Sequence, residues 1–171
     1  LIGIINSLMS LPPVVVGLFV YINLSRSGPF GWLGILYTPT AMIIAQIILI
    51  LPIIAGLTTQ IIEDLQENYN DLFVSLVTPK VTTIKAYIVD ARYSLITVVL
   101  AGLAKGISEV GAVIIVGGNI DHLTRVMTTT ITMETSKGEL ELALALGFVL
   151  LSISLAVNFL AQWLKASAKR R

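Results

Sequence analysis

The chain has 171 residues, of which 56% are hydrophobic and 12% are charged, and its formal net charge is +1. Soluble domains contain about 25% charged residues, so this chain lacks the polar surface of a water-soluble globule and is predicted to be a membrane protein. The small net charge argues against a nucleic-acid partner. Without cysteine, the chain has neither disulfides nor thiolate metal sites, and one histidine, His122, cannot build a metal site alone.

Four apolar stretches are long enough to cross a bilayer, since about 20 helical residues span its hydrocarbon core. We predict an all-α fold, a polytopic transmembrane helix bundle that forms one domain over residues 1–171. The predicted spans are residues 1–24, 40–62, 93–117 and 142–164. Thr38-Pro39 is typical of a helix start before the second span, and Ser136-Lys-Gly-Glu139 resembles a capping box before the fourth.

The chain begins with Leu1, which already lies in an apolar stretch. A signal peptide would show a basic start and a cleavage site with small residues, and the sequence shows neither. We therefore expect the sequence to be a fragment that lacks an N-terminal part.

Lysine and arginine are unevenly distributed between the segments that flank the predicted spans. Seven lie in segment 63–92 and the C-terminal tail, whereas Arg26, Arg125 and Lys137 lie on the opposite side. Because basic residues are enriched on the cytoplasmic side of a membrane, segment 63–92 and the C-terminus are predicted to be cytoplasmic.

Two segments outside the predicted spans have patterns of their own. Segment 63–92 reads as two short amphipathic helices joined at Thr78-Pro79. Helices that lie on lipid usually have basic polar faces, whereas Glu63 and Glu67 make the first one acidic, which favours a protein partner over lipid. The threonine-rich segment 118–139 is predicted to lie outside the cell, either as a helix near a pore or as a connector.

The third span contains a charged pair, Lys105 and Glu109, where a purely lipid-facing helix would have none. On one continuous helix they share a face with Gly102 and Gly106, a small-xxx-small motif that allows close helix contact. A lysine facing lipid at mid-membrane costs about 2.5–3.5 kcal/mol on insertion scales. We therefore expect this face to lie on a translocation path or a subunit interface; a structural pair inside the bundle is the alternative.

The sequence contains none of the usual catalytic motifs. A phosphate-binding loop of the form G-x-x-x-x-G-K-[ST], an H-E-x-x-H motif and a G-x-S-x-G motif are all missing. The acidic group of Glu63, Asp64 and Glu67 is interpreted as a solvated helix face. The chain is therefore predicted not to be an enzyme and to hold neither a metal nor a cofactor.

Long strings of the sequence resemble the membrane subunits of ABC importers, most of all the tungstate permease family, which is related to molybdate and sulfate permeases. The strings are residues 11–31, 38–58 and 90–147, and "ISEVGAVIIVGGNI" is the most specific part. In that family a cytoplasmic pair of short helices inserts into the ATPase. The resemblance and the amphipathic pattern together assign this role to a set of residues in segment 63–92, namely Asp71, Leu72, Phe73, Leu76, Val77, Thr78 and Ile84.

The resemblance implies a permease for a tetrahedral oxyanion, with tungstate before molybdate, in the cell membrane of a bacterium or archaeon. Two copies would enclose the path, and we expect Gly102, Lys105, Gly106, Glu109 and Asn119 to lie on this path or at the dimer interface. The implied partners are ABC ATPase subunits, an extracytoplasmic oxyanion-binding protein, a second copy of the chain and the lipid bilayer. Two alternatives remain open: a secondary transporter or channel that uses Lys105 and Glu109 for ion coupling, and an assembly subunit that transports nothing.

Overall fold

The computed structural model describes residues 2–76 and 79–169, and the regular elements within them are all helical, which confirms the predicted all-α fold. Seven α-helices follow one another along these two described ranges. They are α1 (Ile2–Met9), α2 (Pro13–Leu24), α3 (Pro39–Ser75), α4 (Lys80–Ser108), α5 (Gly111–Gly117), α6 (Met127–Lys137) and α7 (Leu140–Lys169).

Three of these helices contain stretches long and apolar enough to cross a membrane: Pro39–Tyr69, Lys80–Ser108 and Leu140–Leu160. The predicted first span, residues 1–24, is instead divided into α1 and α2. The chain is extended at Pro12 (φ −64°, ψ 126°), and α2 begins at Pro13. Because proline lacks an N–H and clashes with the preceding helical turn, the two adjacent prolines end one helix and start another.

The core of the bundle lies where α2, α3 and α5 meet. Its buried side chains are Val16, Val20 and Leu24 of α2, Ala41, Met42, Ala45 and Leu49 of α3, and Ala112, Val113 and Val116 of α5. α2 and α5 approach closely at Gly17, where an added Cβ would lie 2.7 Å from the Cα of Ala112. Small residues at such a crossing let two backbones touch, so α5 is fixed against the core.

The connection between α2 and α3 is a loop with a 3-10 turn at Gly31–Leu33. The Phe30 N–H donates to the Asn23 carbonyl (3.0 Å), and the Tyr37 N–H donates to the Val116 carbonyl (3.0 Å). The loop is therefore tied both to the end of α2 and to α5. α3 then begins at Pro39, with Thr38 before it, as the sequence predicts.

α3 and α4 are longer than the predicted spans, and this corrects the reading of segment 63–92. α3 continues without interruption from the apolar stretch to Ser75, and α4 begins at Lys80 and runs through to Ser108. The two amphipathic stretches are the adjoining ends of these helices rather than separate short helices. The physical reason is that neither glycine nor proline interrupts the chain between Gly56 and Pro79 or between Pro79 and Gly102.

The threonine-rich segment forms a turn followed by α6, which packs against α7. Ser136 lies inside α6, where its hydroxyl donates to the Thr132 carbonyl (2.9 Å), so the predicted capping box at Ser136 is wrong. α6 ends at Gly138, whose φ of 85° stops the helix, because glycine adopts this left-handed conformation without strain. α7 begins two residues later, at Leu140.

Candidate functional site

The site is organised by a break between α4 and α5, within the predicted third span of residues 93–117. α4 ends at Ser108, Glu109 is extended (φ −76°, ψ 130°) and α5 begins at Gly111. At a break the last carbonyls of one helix and the first N–H groups of the next lose their intrahelical partners. Inside a membrane bundle these groups need partners from the protein, because water is absent from the hydrocarbon core.

Side chains of two other helices supply partners for carbonyls at the break. Gln46 of α3 donates from Nε2 to the Gly106 carbonyl (3.1 Å), and Thr128 of α6 donates from Oγ1 to the Glu109 carbonyl (3.2 Å). The Glu109 carboxylate accepts a long hydrogen bond from the N–H of Ala112, in the first turn of α5 (3.4 Å). Four helices, α3, α4, α5 and α6, are therefore joined at this point.

Lys105 and Glu109 form an ion pair next to the break, with Lys105 Nζ 3.2 Å from Glu109 Oε2. The two side chains differ in exposure: 42% for Lys105 and 5% for Glu109. On the predicted continuous helix they would lie on one face. The break instead turns the carboxylate into the bundle and leaves the ammonium group half exposed.

A cavity of about 440 Å³ lies beside Glu109, and residues of α3, α4, α5, α6 and α7 line it. Its polar lining consists of Gln46, Glu109 and Thr128, and the remaining lining is glycine and apolar side chains such as Met42 and Ile153. An apolar cavity with a few converging polar groups is the usual form of a small-molecule site. Here the polar groups are the same ones that hold the break.

The exposed surface of α4 has two faces of different character. Ile96, Val99 and Leu103 are exposed large apolar side chains on one side of the helix, as expected of a lipid-facing surface. At 3.6 residues per turn, the opposite side presents small or polar residues that are exposed or half-buried, namely Ser94, Thr97, Ala101, Lys105 and Ser108. Such a face is typical of contact with water or with another helix.

Gly102 and Gly106 make a contact within the chain. A Cβ added at Gly102 would lie 2.8 Å from Cδ1 of Ile54, and one added at Gly106 would lie 2.9 Å from Cδ1 of Ile50. Both glycines thus face α3, whereas the prediction placed them on a path or dimer interface with Lys105 and Glu109. The small-xxx-small motif serves the packing of α4 on α3.

Asn119 lies beyond the C-terminal end of α5, at the other end of that helix from Glu109. Its backbone is left-handed, with a φ of 50°, and its Nδ2 lies 3.3 Å from the sulfur of Met133. Its buried Oδ1 has no hydrogen-bond partner within residues 2–76 and 79–169. The structure therefore does not bring Asn119 together with the ion pair.

The residues predicted to contact an ATPase lie around the turn between α3 and α4. Asp71, Leu72 and Phe73 belong to the last turns of α3, Leu76 follows its end and Ile84 belongs to the start of α4, whereas Val77 and Thr78 lie outside the described residues. Leu72, Leu76 and Ile84 are 51%, 65% and 56% exposed. Phe73 instead packs edge-on against the buried Tyr87, with 5.5 Å between ring centroids, and joins the two helices.

Two residues of the site, Gln46 and Thr128, were missed by the sequence analysis. Gln46 is the one polar residue between Thr40 and Thr58, and a lone amide in a span is a signal that could have identified it. Thr128 belongs to a run of threonines, and the sequence does not distinguish the one that faces the break.

The chain matches none of the family models and none of the solved structures with which it was compared. Similar curated proteins do exist. The tungstate uptake system permease protein TupB of Peptoclostridium acidaminophilum is 46% identical over 155 residues, which cover 91% of this chain and 68% of the relative. A probable anion ABC transporter permease protein of Haloferax volcanii is 40% identical over 92% of this chain and 70% of its own length. TupB of Campylobacter jejuni is 38% identical over 95% of this chain and 68% of its own length.

Proposed function

Because the chain belongs to the family of ABC transporter permeases for anions that includes the tungstate uptake permeases, we propose that it carries a tetrahedral oxyanion, tungstate, into the cell. Two copies enclose the path, and separate ATPase subunits supply the energy. A binding protein outside the membrane delivers the anion. The chain itself is a multi-pass membrane protein.

The observation that carries the proposal is the polar face of α4, on which Lys105 lies half exposed and is paired with the buried Glu109. The opposite face of α4 is apolar and suits lipid, so the polar face is the side that a second copy or a path can cover. A lysine left against acyl chains would cost about 2.5–3.5 kcal/mol on insertion scales. An anion that crosses the membrane needs a favourable charge on its path, and Lys105 is the one lysine or arginine between Arg92 and Arg125.

The turn between α3 and α4 supports the proposed contact with an ATPase. Leu72 and Leu76 are four residues apart, so both can enter one cleft, and both are largely exposed. The two helices that meet here are themselves candidate spans. A displacement of the end of α3 or of the start of α4 would therefore be transmitted along a continuous helix into the membrane.

The orientation follows from the basic residues, with this turn and the C-terminus in the cytoplasm. The loop between α2 and α3 and the turn before α6 then face outward, where a binding protein would dock. These outward segments contain basic and acidic residues together: Asp121 pairs with Arg125 at 2.9 Å. A balanced surface of this kind does not select an anion, so we assign selection among oxyanions to the binding protein.

The proposal is tested by tungstate uptake into proteoliposomes that contain this chain and its ATPase, with ATP inside and the binding protein outside. We expect uptake only when both ATP and the binding protein are present. Uptake driven by an ion gradient without the ATPase would refute the proposal and favour a secondary transporter. Absence of uptake with all components present would refute it as well.

A variant isolates the coupling role of the turn. Replacing both Leu72 and Leu76 with aspartate puts two charges on the exposed apolar surface, and we expect the ATPase to be lost on purification while the chain stays in the membrane. The matched control is Leu123→Asp, an equally exposed leucine (53%) in the turn before α6, which should retain the ATPase. Normal ATPase retention in the double variant would contradict the assignment of this turn.

A further inference from the structure

The two members of the ion pair are held very differently. Glu109 is fixed from three directions: its carboxylate meets Lys105 and the Ala112 N–H, and its carbonyl accepts from Thr128. It is also 6% exposed as a residue. Within the described residues, the contact that holds the Lys105 ammonium group is the one to Glu109. Lys105 can therefore move without disturbing the break, whereas Glu109 cannot.

A lysine ammonium has three N–H donors on a flexible four-carbon stem. One contact to Glu109 leaves donors available on the half-exposed side, which is the polar face of α4. An anion that passes along this face would meet the ammonium group before it meets the buried carboxylate. The geometry thus allows the Lys105 ammonium group to contact both the fixed carboxylate and a mobile anion.

The fixed carboxylate also limits how tightly the anion is held. A transport site must bind well enough to admit its ion and weakly enough to release it. An unpaired lysine in a low-dielectric site would hold a dianion strongly, because charges attract far more there than in water. Glu109 competes with the anion for the same ammonium group and so favours release.

We infer that Lys105 is the residue of this chain that contacts the oxyanion in transit, and that Glu109 is a positioning residue that keeps Lys105 on the path and weakens its hold on the anion. The inference rests on the proposed function, since it requires an anion path along α4. In a two-fold dimer the path would contain two copies of the Lys105–Glu109 pair, so two ammonium groups would be available to a tungstate-like dianion.

The test uses the complete complex with its ATPase and binding protein, reconstituted as above. Lys105→Gln should reduce tungstate uptake by about ten- to a hundredfold, the range of one charge-assisted hydrogen bond. Stimulation of the ATPase by the loaded binding protein should persist, because the cytoplasmic turn is untouched. Lys105→Arg, which keeps the charge, should recover a large part of the uptake.

Exchanging the two charges, with Lys105→Glu and Glu109→Lys together, separates the inference from a structural role. The exchange preserves an ion pair but moves the cation to the buried position, so we expect uptake to stay low. Recovery of uptake in this double variant would overturn the inference. Normal uptake by Lys105→Gln would also overturn the inference. Loss of the Lys105→Gln complex from the membrane would overturn it as well, because Lys105 would then be needed for folding and not for contact with the anion.

The chain offers a matched control in α6. Lys137 pairs with Glu134 at 2.9 Å, and their side chains are 53% and 9% exposed, so this pair also joins a half-exposed lysine to a buried carboxylate. Lys137→Gln should leave uptake at the wild-type rate. A failure of the proposed function is recognised separately, because the wild-type complex would then show no ATP-dependent uptake.

Discussion

The break between α4 and α5 makes a quantitative prediction about Thr128. Within the described residues, the Thr128 hydroxyl is the one hydrogen-bond donor to the Glu109 carbonyl, whereas the Gly106 carbonyl accepts both from Gln46 and from the Glu109 N–H (3.3 Å). Thr128→Val is nearly isosteric and leaves a buried carbonyl without a partner. Gln46→Leu leaves the Gly106 carbonyl with one remaining donor, the Glu109 N–H. Thr128→Val should therefore be the more destabilising of the two.

The magnitude follows from two ranges. An unsatisfied buried polar group costs about 1–3 kcal/mol in soluble proteins, and hydrogen bonds between membrane helices average about 0.6 kcal/mol with a maximum near 1.7. We expect Thr128→Val to reduce the free energy of unfolding by about 1–2 kcal/mol, at the overlap of these ranges. Gln46→Leu should cost less than half of that.

The assay is unfolding of the purified chain by a denaturing detergent, followed by circular dichroism. Thr132→Val is the matched control. The Thr132 hydroxyl donates to the Thr128 carbonyl of the same helix (3.2 Å), and Thr132 is exposed. It should change stability by no more than a few tenths of a kcal/mol. If Thr128→Val and Thr132→Val behave alike, or if Gln46→Leu is the worst of the three, the account of the break is wrong.

Two further predictions concern packing and orientation. Gly17→Val should destabilise the bundle by about 1–3 kcal/mol, the usual cost of overpacking, because the added atoms would meet the Ala112 backbone. The control is Gly147→Ala, where an added Cβ has nothing within 4 Å. This variant should be neutral or stabilising in the same unfolding assay. The chain has no cysteine, so Ser27→Cys and Ser75→Cys give single labelling sites: a membrane-impermeant maleimide should reach the first from outside intact cells and the second only after lysis. The reverse labelling pattern would contradict the proposed orientation.

The sequence predicted best those features that depend on neighbouring residues. α3 begins at Pro39, directly after Thr38, because the proline is preorganised for a first helical turn. Apolar composition was sufficient to identify the membrane bundle. The family strings identified the kind of permease, which the relatives confirm.

The break at Glu109 could not be predicted in the same way, because its causes lie far away in sequence. Gln46 and Thr128, which hold it, are 60 and 19 residues from their acceptors. The glycines Gly106 and Gly111 flank the break, but glycine is common in membrane helices and is no sign of a break by itself. The predicted helix over residues 93–117 was the natural local reading, and tertiary contacts overrode it.

The error over segment 63–92 is of another kind, since the sequence contained the needed information. An amphipathic pattern shows which face of a helix is apolar, and it does not show where the helix begins. Residues 57–78 and 80–101, on either side of Pro79, contain neither glycine nor proline, and this indicated two long helices. The apolar stripe was therefore correct, and the helix boundaries were wrong.

The length of α4 relates the two ends of the proposed importer. Its 29 residues extend about 43 Å at 1.5 Å per residue, and Lys105 lies in the last turn. In the proposed importer, a displacement at the cytoplasmic turn would thus move Lys105 directly. α5 would not follow, because the chain is extended at Glu109 and α5 is fixed to α2 at Gly17. The contacts that oppose the separation include the packing of Gly102 and Gly106 on α3 and the hydrogen bonds from Gln46 and Thr128, each worth about 1 kcal/mol. The energy that ATP supplies can break hydrogen bonds of this strength. The same bonds are strong enough to keep Glu109 and Lys105 in place between transport cycles.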